Sequence, residues 1–208
     1  MKKPIIGIAG GIGSGKSFVA TRFGELGCLV ISSDDQVREA YRDGRVITTL
    51  KRWWGDEVLT DGGEVNKRVI AGRIFGQPAE RERLEQLLHP MVNEARQRMM
   101  NAAANDPAVR AFVWDTPLLF ETGLNAQCDA VVFVDAPASV RLARVQGSRG
   151  WDAAELRRRE NSQMPLDRKR ELSQYVIENT ADADAVRGQV RAVLSRILDR
   201  SVDKLSPV

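Results

Sequence analysis

A chain of 208 residues, 43% hydrophobic and 28% charged, has room for one domain with a sizeable core or a core carrying insertions, and its composition is ordinary for a soluble globular protein. Thirty-one Lys and Arg against 28 Asp and Glu leave a net charge of +3, too small to argue for nucleic-acid binding but suited to polyphosphate ligands. No run approaches the roughly 20 apolar residues a membrane helix needs, and the Gly-broken N-terminal stretch runs into Lys16 and is too short for a secretory leader. A cytoplasmic protein is expected, and its two cysteines, Cys28 and Cys128, read as buried free thiols in a reducing compartment.

The first apolar run, residues 4–9, reads as a buried strand, and a helical stretch begins near Lys16. A second strand, residues 29–32, runs into Asp34 and Asp35. From 36 to 105 the pattern is helical only, over 46–54, 66–75, 80–89 and 92–104, with Pro90 expected to separate the last two. Further strands are expected at 109–114, leading to Asp115, and at 130–134, with a weaker one at 175–177. Runs apolar on consecutive residues suit a parallel sheet covered on both faces. The alternation with helices predicts an α/β fold, three layers around a five-stranded parallel sheet. Two stretches interrupt it: a helical insertion at 36–105, and an Arg- and Glu-rich segment at 147–172. The second reads either as a solvated helical pair or as a mobile basic lid over phosphates. The core is then 1–35, 106–146 and 173–208, closing on an amphipathic helix over 181–200, with Thr180 or Asp182 as its cap.

Between the first strand and helix, Gly10-Gly11-Ile12-Gly13-Ser14-Gly15-Lys16-Ser17 fits the P-loop pattern G-x-x-x-x-G-K-S/T. Its glycines allow successive N–H groups to turn around phosphate oxygens, and the helix adds its positive end. Gly11, Gly13, Ser14, Gly15, Lys16, Ser17 and Phe18 are thus candidates to bind ATP, with Lys16 at the β- and γ-phosphates and Ser17 on magnesium. Asp34, Asp35 and Asp115 fall just beyond strand ends, where ligands of open α/β sheets gather. A carboxylate there can take a hydroxyl proton or hold magnesium; Asp34 or Asp35 can equally cap the next helix. Trp53 and Trp54 have two open roles, stacking on an adenine or anchoring the insertion on the core.

Several blocks then make a resemblance specific: GGIGSGKS, Val30-Ile31-Ser32-Ser33-Asp34, Ile74-Phe75, Arg83-Leu84-Glu85, His89-Pro90, Asp115-Thr116-Pro117-Leu118-Leu119-Phe120-Glu121 with Gly123-Leu124, Gln163-Met164-Pro165, and Val176-Ile177-Glu178-Asn179. In this order, over nearly the whole chain, they resemble the dephospho-CoA kinase family. The resemblance implies transfer of the ATP γ-phosphate, with Mg²⁺, to the ribose 3′-hydroxyl of dephospho-CoA, the last step of CoA synthesis. It makes the insertion a CoA-binding region and the 147–172 segment a lid. It aligns Asp34 with the carboxylate that activates the hydroxyl and Arg38 with a basic position beside it. It gives Arg144 and Arg149 to ATP, Arg159 to the lid, and Pro117 and Leu118 to the acceptor. For His89 it leaves a substrate contact beside the plainer role of orienting the Pro90 bend.

The chain departs from the family pattern at Ser32, where an Asp is usual, at Asp35 and Glu160, where apolar residues are common, and at Phe18, commonly Thr. Another small-molecule P-loop kinase is disfavoured by the PLLFE block and the long insertion. A nucleotide-driven switch has no use for Asp34 near a hydroxyl acceptor.

Overall fold

A computed structural model describes residues 2–180 and 182–203. Each apolar run of the sequence forms a strand: β1 (Ile5–Gly10), β2 (Cys28–Ser32), β3 (Ala111–Asp115), β4 (Ala130–Asp135) and β5 (Tyr175–Glu178). They assemble in the order β2-β3-β1-β4-β5, with β1 parallel to β3 and β4, and β4 parallel to β5. The helices are α1 (Lys16–Gly24), α2 (Ser33–Ala40), α3 (Gly44–Trp54), α4 (Lys67–Ile74), α5 (Pro78–Ala102), α6 (Ala138–Arg149), α7 (Ala153–Glu160), α8 (Leu166–Glu171) and α9 (Ala183–Asp203).

The chain divides into two compact units, 1–31 with 102–208, and 32–101. In the first, every residue of β1 is buried, as a central strand covered on both faces requires. One apolar cluster joins Ile6, Ile8, Val113, Val132 and Val134 to Val19 and Phe23 of α1 and Val186, Val190 and Leu194 of α9. Alternate strand residues, Ala9, Val131 and Phe133, join a second cluster with Leu119, Phe120, Met164 and Leu166. The expected amphipathic stripe of α9 is therefore its buried face. Asp182 caps that helix, accepting from the backbone N–H of Asp184 and Ala185; Ala181, the first residue of the expected helix, lies outside the described residues.

The 32–101 unit has its own core, made by Ala40, Val46, Leu50, Val58, Val65, Ile70, Leu84 and Leu88. Trp53 and Trp54 pack against this cluster, edge to face at 5.6 Å. Trp54 Nε1 donates to Glu80 (2.8 Å), and the Arg83 guanidinium covers the Trp53 ring at 4.0 Å. Two expectations fail here. The unit is not purely helical, because Leu59 and Val65 form an antiparallel bridge. Pro90 does not end a helix but lies inside α5. A proline in a helix interior removes one ladder bond and costs about 3 kcal/mol. Leu84, Leu88, Val92 and Arg96, repeating every fourth residue, form one buried stripe that runs through the proline and offsets that cost.

Candidate active site

β1 ends at Gly10 and α1 begins at Lys16, so residues 11–15 turn directly from strand to helix. Gly15 is the N-cap, left-handed at φ 88°, and offers no side chain to the first-turn N–H groups. Those groups have no partner within the helix and carry its positive end, which is the physical basis of an anion site. A Cβ on Gly15 would fall 2.2 Å from Asn179 Nδ2, so both the dihedral and the close approach demand glycine.

Side chains hold the loop from outside. Asn179 Nδ2 donates to Ser14 O (2.7 Å), and Arg144 donates to Ser14 O (3.0 Å) and Gly13 O (3.4 Å). Arg144 also reaches Asn179 O (3.2 Å), and Arg141 donates to Ile12 O (3.4 Å). A trans peptide points its C=O and its N–H to opposite sides. Anchoring Ile12 O and Ser14 O to these braces turns the N–H groups of Gly13 and Gly15 away from them. The Ser14 hydroxyl, in a residue only 1% exposed, has no hydrogen-bond partner among the described residues. An orphaned buried hydroxyl costs about 1–3 kcal/mol, an expense that a bound phosphate oxygen removes.

Lys16 is half-buried, and its ammonium donates to Gly10 O and Gly11 O, both at 3.1 Å. Burial lowers its pKa from 10.5 to about 8; Asp115 pulls it back up, Lys169 and Arg149 push it down, and Glu121 raises it slightly. Ser17 and Phe18 follow in the first turn of α1. The Ser17 residue is exposed, while the Phe18 ring packs on the core beneath Arg22 at 4.6 Å.

Beyond β3, Pro117 and Leu118 are exposed, whereas Leu119 and Phe120 are buried. Glu121 closes that turn and meets Lys169, which is 1% exposed, at 2.8 Å. The same lysine donates to Gln163 Oε1 (3.1 Å), and Glu121 accepts from Met164 N (2.9 Å). Burial acts to raise the Glu121 carboxyl, but the Lys169 hydrogen bond and backbone donors hold it below its ordinary value. The buried Lys169 thereby ties Glu121 of the PLLFE block to Gln163 of the QMP block. In the Arg-rich segment, Arg149 and Arg159 both lie over the Trp151 ring, at 4.8 and 4.1 Å, and Arg159 pairs with Glu155 at 2.7 Å.

The remaining candidates belong to the 32–101 unit. Ser32 caps α2, its hydroxyl accepting from Asp35 N (3.2 Å). Asp34 is exposed in the first turn, and its carboxylate makes no hydrogen bond or ion pair among the described residues. Asp35, by contrast, is engaged by Arg38 at 2.6 Å, with both side chains largely exposed. His89 is exposed on α5, immediately before Pro90.

The dephospho-CoA kinase family model matches residues 4–185 of this chain. The chain belongs to the dephospho-CoA kinase family. It is 40% identical over 195 residues to the dephospho-CoA kinase of Syntrophotalea carbinolica, covering 93% of this chain and 92% of that one. Among solved structures, a Thermus thermophilus protein is similar with a TM-score of 0.78 at 31% identity, covering 94% of this chain and 98% of the other. The dephospho-CoA kinase of Campylobacter jejuni, at 18% identity, TM-score 0.64 and coverage of 94% and 97%, shares the fold.

Within this chain, the sequence left several site residues without a role. Arg141 stands three residues before Arg144 on α6, a spacing that places both on one helix face, and that was the available signal. Asn179 follows directly on β5, at the strand end where ligands gather. Lys169 sits in the basic run of the Arg-rich segment, and no local feature marks it as buried.

Proposed function

We propose that this chain acts as its family name describes, moving the γ-phosphate of ATP to the ribose 3′-hydroxyl of dephospho-CoA. The observation that carries the reading is the braced strand-to-helix loop, glycine-capped, with an orphaned serine hydroxyl and an inward lysine, in a chain of this family. The N–H groups of residues 11–18 cradle the phosphates, and Lys16 exchanges its two carbonyl partners for β- and γ-phosphate oxygens. Arg144 acts through the loop it braces. Arg149 and Arg159 leave Trp151 to close over ATP as a lid, excluding water as a competing acceptor. Asp34 takes the proton of the attacking hydroxyl, and Arg38, His89, Pro117 and Leu118 contact the acceptor. Arg38 is available because an exposed ion pair such as its own with Asp35 contributes little.

No group of three or more His, Cys, Asp or Glu among the described residues would hold a metal by itself. That suits Mg²⁺, which keeps several waters and binds through one or two protein oxygens together with substrate phosphates. The Ser17 hydroxyl and the Asp115 carboxylate are the protein oxygens that would hold it. When bound, the ion neutralises charge on the phosphate oxygens.

Incubation of the purified protein with ATP, Mg²⁺ and dephospho-CoA is expected to yield CoA and ADP, read by chromatography and mass. ATP hydrolysis without CoA would favour a nucleotide switch, and faster transfer to AMP or a sugar would favour another small-molecule kinase.

The lowered Lys16 pKa predicts the pH dependence of ATP binding. Phosphate favours the charged amine, so binding raises the Lys16 pKa, and above pH 8, where the free amine is largely neutral, a proton must be taken up. ATP affinity therefore falls as pH rises through about 8. For folding the sign is opposite: between about 8 and 10.5 the unfolded chain holds more protons at this residue, so its contribution to stability rises with pH. Calorimetry in buffers of different ionisation heat measures the proton uptake, and none at pH 8.5 would rule out Lys16 as the phosphate ligand.

A further inference from the structure

The loop braces differ in what stands behind them. Asn179 is fixed by its own backbone, donating to Asp135 O at 2.7 Å, and Arg144 is held to Asn179. Arg141 is held by the Arg-rich segment, because its guanidinium forms an ion pair with Glu160, the last residue of α7. The pair is largely shielded from solvent, with side-chain exposures of 9% for Arg141 and 22% for Glu160. The nitrogen that bonds Glu160 also donates to Ile12 O, and it lies 3.1 Å from a Cβ built on Gly11, hard against the loop backbone. Arg141 Nε is buried without a hydrogen-bond partner among the described residues. Glu160 is therefore a principal anchor of the guanidinium.

We propose that Glu160 is a positioning residue for ATP, holding Arg141 on Ile12 O so that the Gly13 N–H stays aimed at the phosphates. Without the carboxylate, a nearly buried guanidinium has lost its counter-charge and swings toward solvent, releasing the Ile12 peptide to rotate. The coupling runs from the Arg-rich segment through one ion pair to one peptide plane, so movement of α7 changes the shape of the phosphate site. The proposal rests on reading the loop as the ATP site.

The test is calorimetric titration of ATP·Mg²⁺ without acceptor, alongside steady-state kinetics and melting, for Glu160→Gln, Arg141→Gln and the double variant. Each single change is expected to raise the ATP dissociation constant about tenfold, in the usual range of coupling for contacting charged residues, and the double variant no further. The KM for dephospho-CoA and kcat at saturating ATP stay near wild type, which separates positioning from a general loss of fold. Glu171→Gln, which breaks only the exposed Arg168–Glu171 pair, serves as the unchanged control. Should Glu160→Gln fail to fold, the Arg141→Gln/Glu160→Leu variant removes both charges and carries the same expectation. ATP affinity equal to wild type, tighter binding, or additive effects in the double variant would each overturn the proposal. A wild-type chain that binds ATP but makes no CoA would refute the acceptor assignment and leave this test intact.

Discussion

Asp34→Asn is expected to lower turnover by roughly 10²–10⁴-fold, the size of a general-base contribution, with ATP affinity nearly unchanged. The amide keeps the shape of the side chain and removes the proton acceptor. Asp34 is suited to that role because it is exposed in the first turn of α2 and its carboxylate is free of any hydrogen bond or ion pair among the described residues. The neighbouring carboxylate is otherwise employed. Asp35 pairs with Arg38, and its backbone N–H satisfies the Ser32 cap. Since Ser32 performs the capping, Asp35→Asn removes an exposed ion pair and nothing else, and turnover is expected to stay within about threefold of wild type. Both variants are compared for kcat and for ATP affinity. Loss of turnover in Asp35→Asn alone would move the base by one residue. Full activity in both would leave Asp115, whose charge bears on Lys16, as the carboxylate to examine.

The strands were legible because a parallel sheet buried on both faces writes itself as consecutive apolar residues, and Ile5–Gly10 and Ala130–Asp135 are buried almost throughout. The phosphate loop was legible because its constraints are local, a left-handed glycine followed by a helix start. Pro90 misled because its local cost is real, while the stripe from Leu84 to Arg96 that overrides it is a tertiary effect. Lys169 looked like one cation in a solvated run, yet its partner Glu121 comes from the turn beyond β3. The loop braces were hidden for the same reason: Arg141 and Asn179 meet carbonyls 129 and 165 residues away, and no local pattern records such contacts. The departures from the family pattern, in contrast, each acquire a physical role. Ser32 caps α2, Phe18 packs on the core beneath Arg22, Asp35 engages Arg38, and Glu160 engages Arg141.

Lys16→Ala is expected to cut kcat by about 10²–10³-fold, the effect of removing one donor aimed at charge that grows in the transition state, while weakening ATP binding much less. The difference arises because the loop N–H groups and the helix end bind the ground-state phosphates, whereas the ammonium follows the charge developing between the β- and γ-positions. Removing Lys16 also frees Gly10 O and Gly11 O, which accept from it in the ligand-free loop. These carbonyls gain access to water when the side chain goes, so the fold is not expected to suffer. Its stability should hold or rise below pH 8, because burial holds the Lys16 pKa near 8 against an ordinary 10.5, and maintaining the charge there opposes folding. A variant that melts no lower than wild type yet scarcely turns over would show stability given up for function at this residue. Lys16→Arg separates charge from shape: the guanidinium keeps the positive charge, but its planar fork does not reproduce a compact ammonium between two phosphates, so kcat stays well below wild type. Near-normal kcat in Lys16→Ala would show that this ammonium does not touch the transferred phosphate. The Lys169 ammonium, the next cation to bear on the same site, would then be the group to replace.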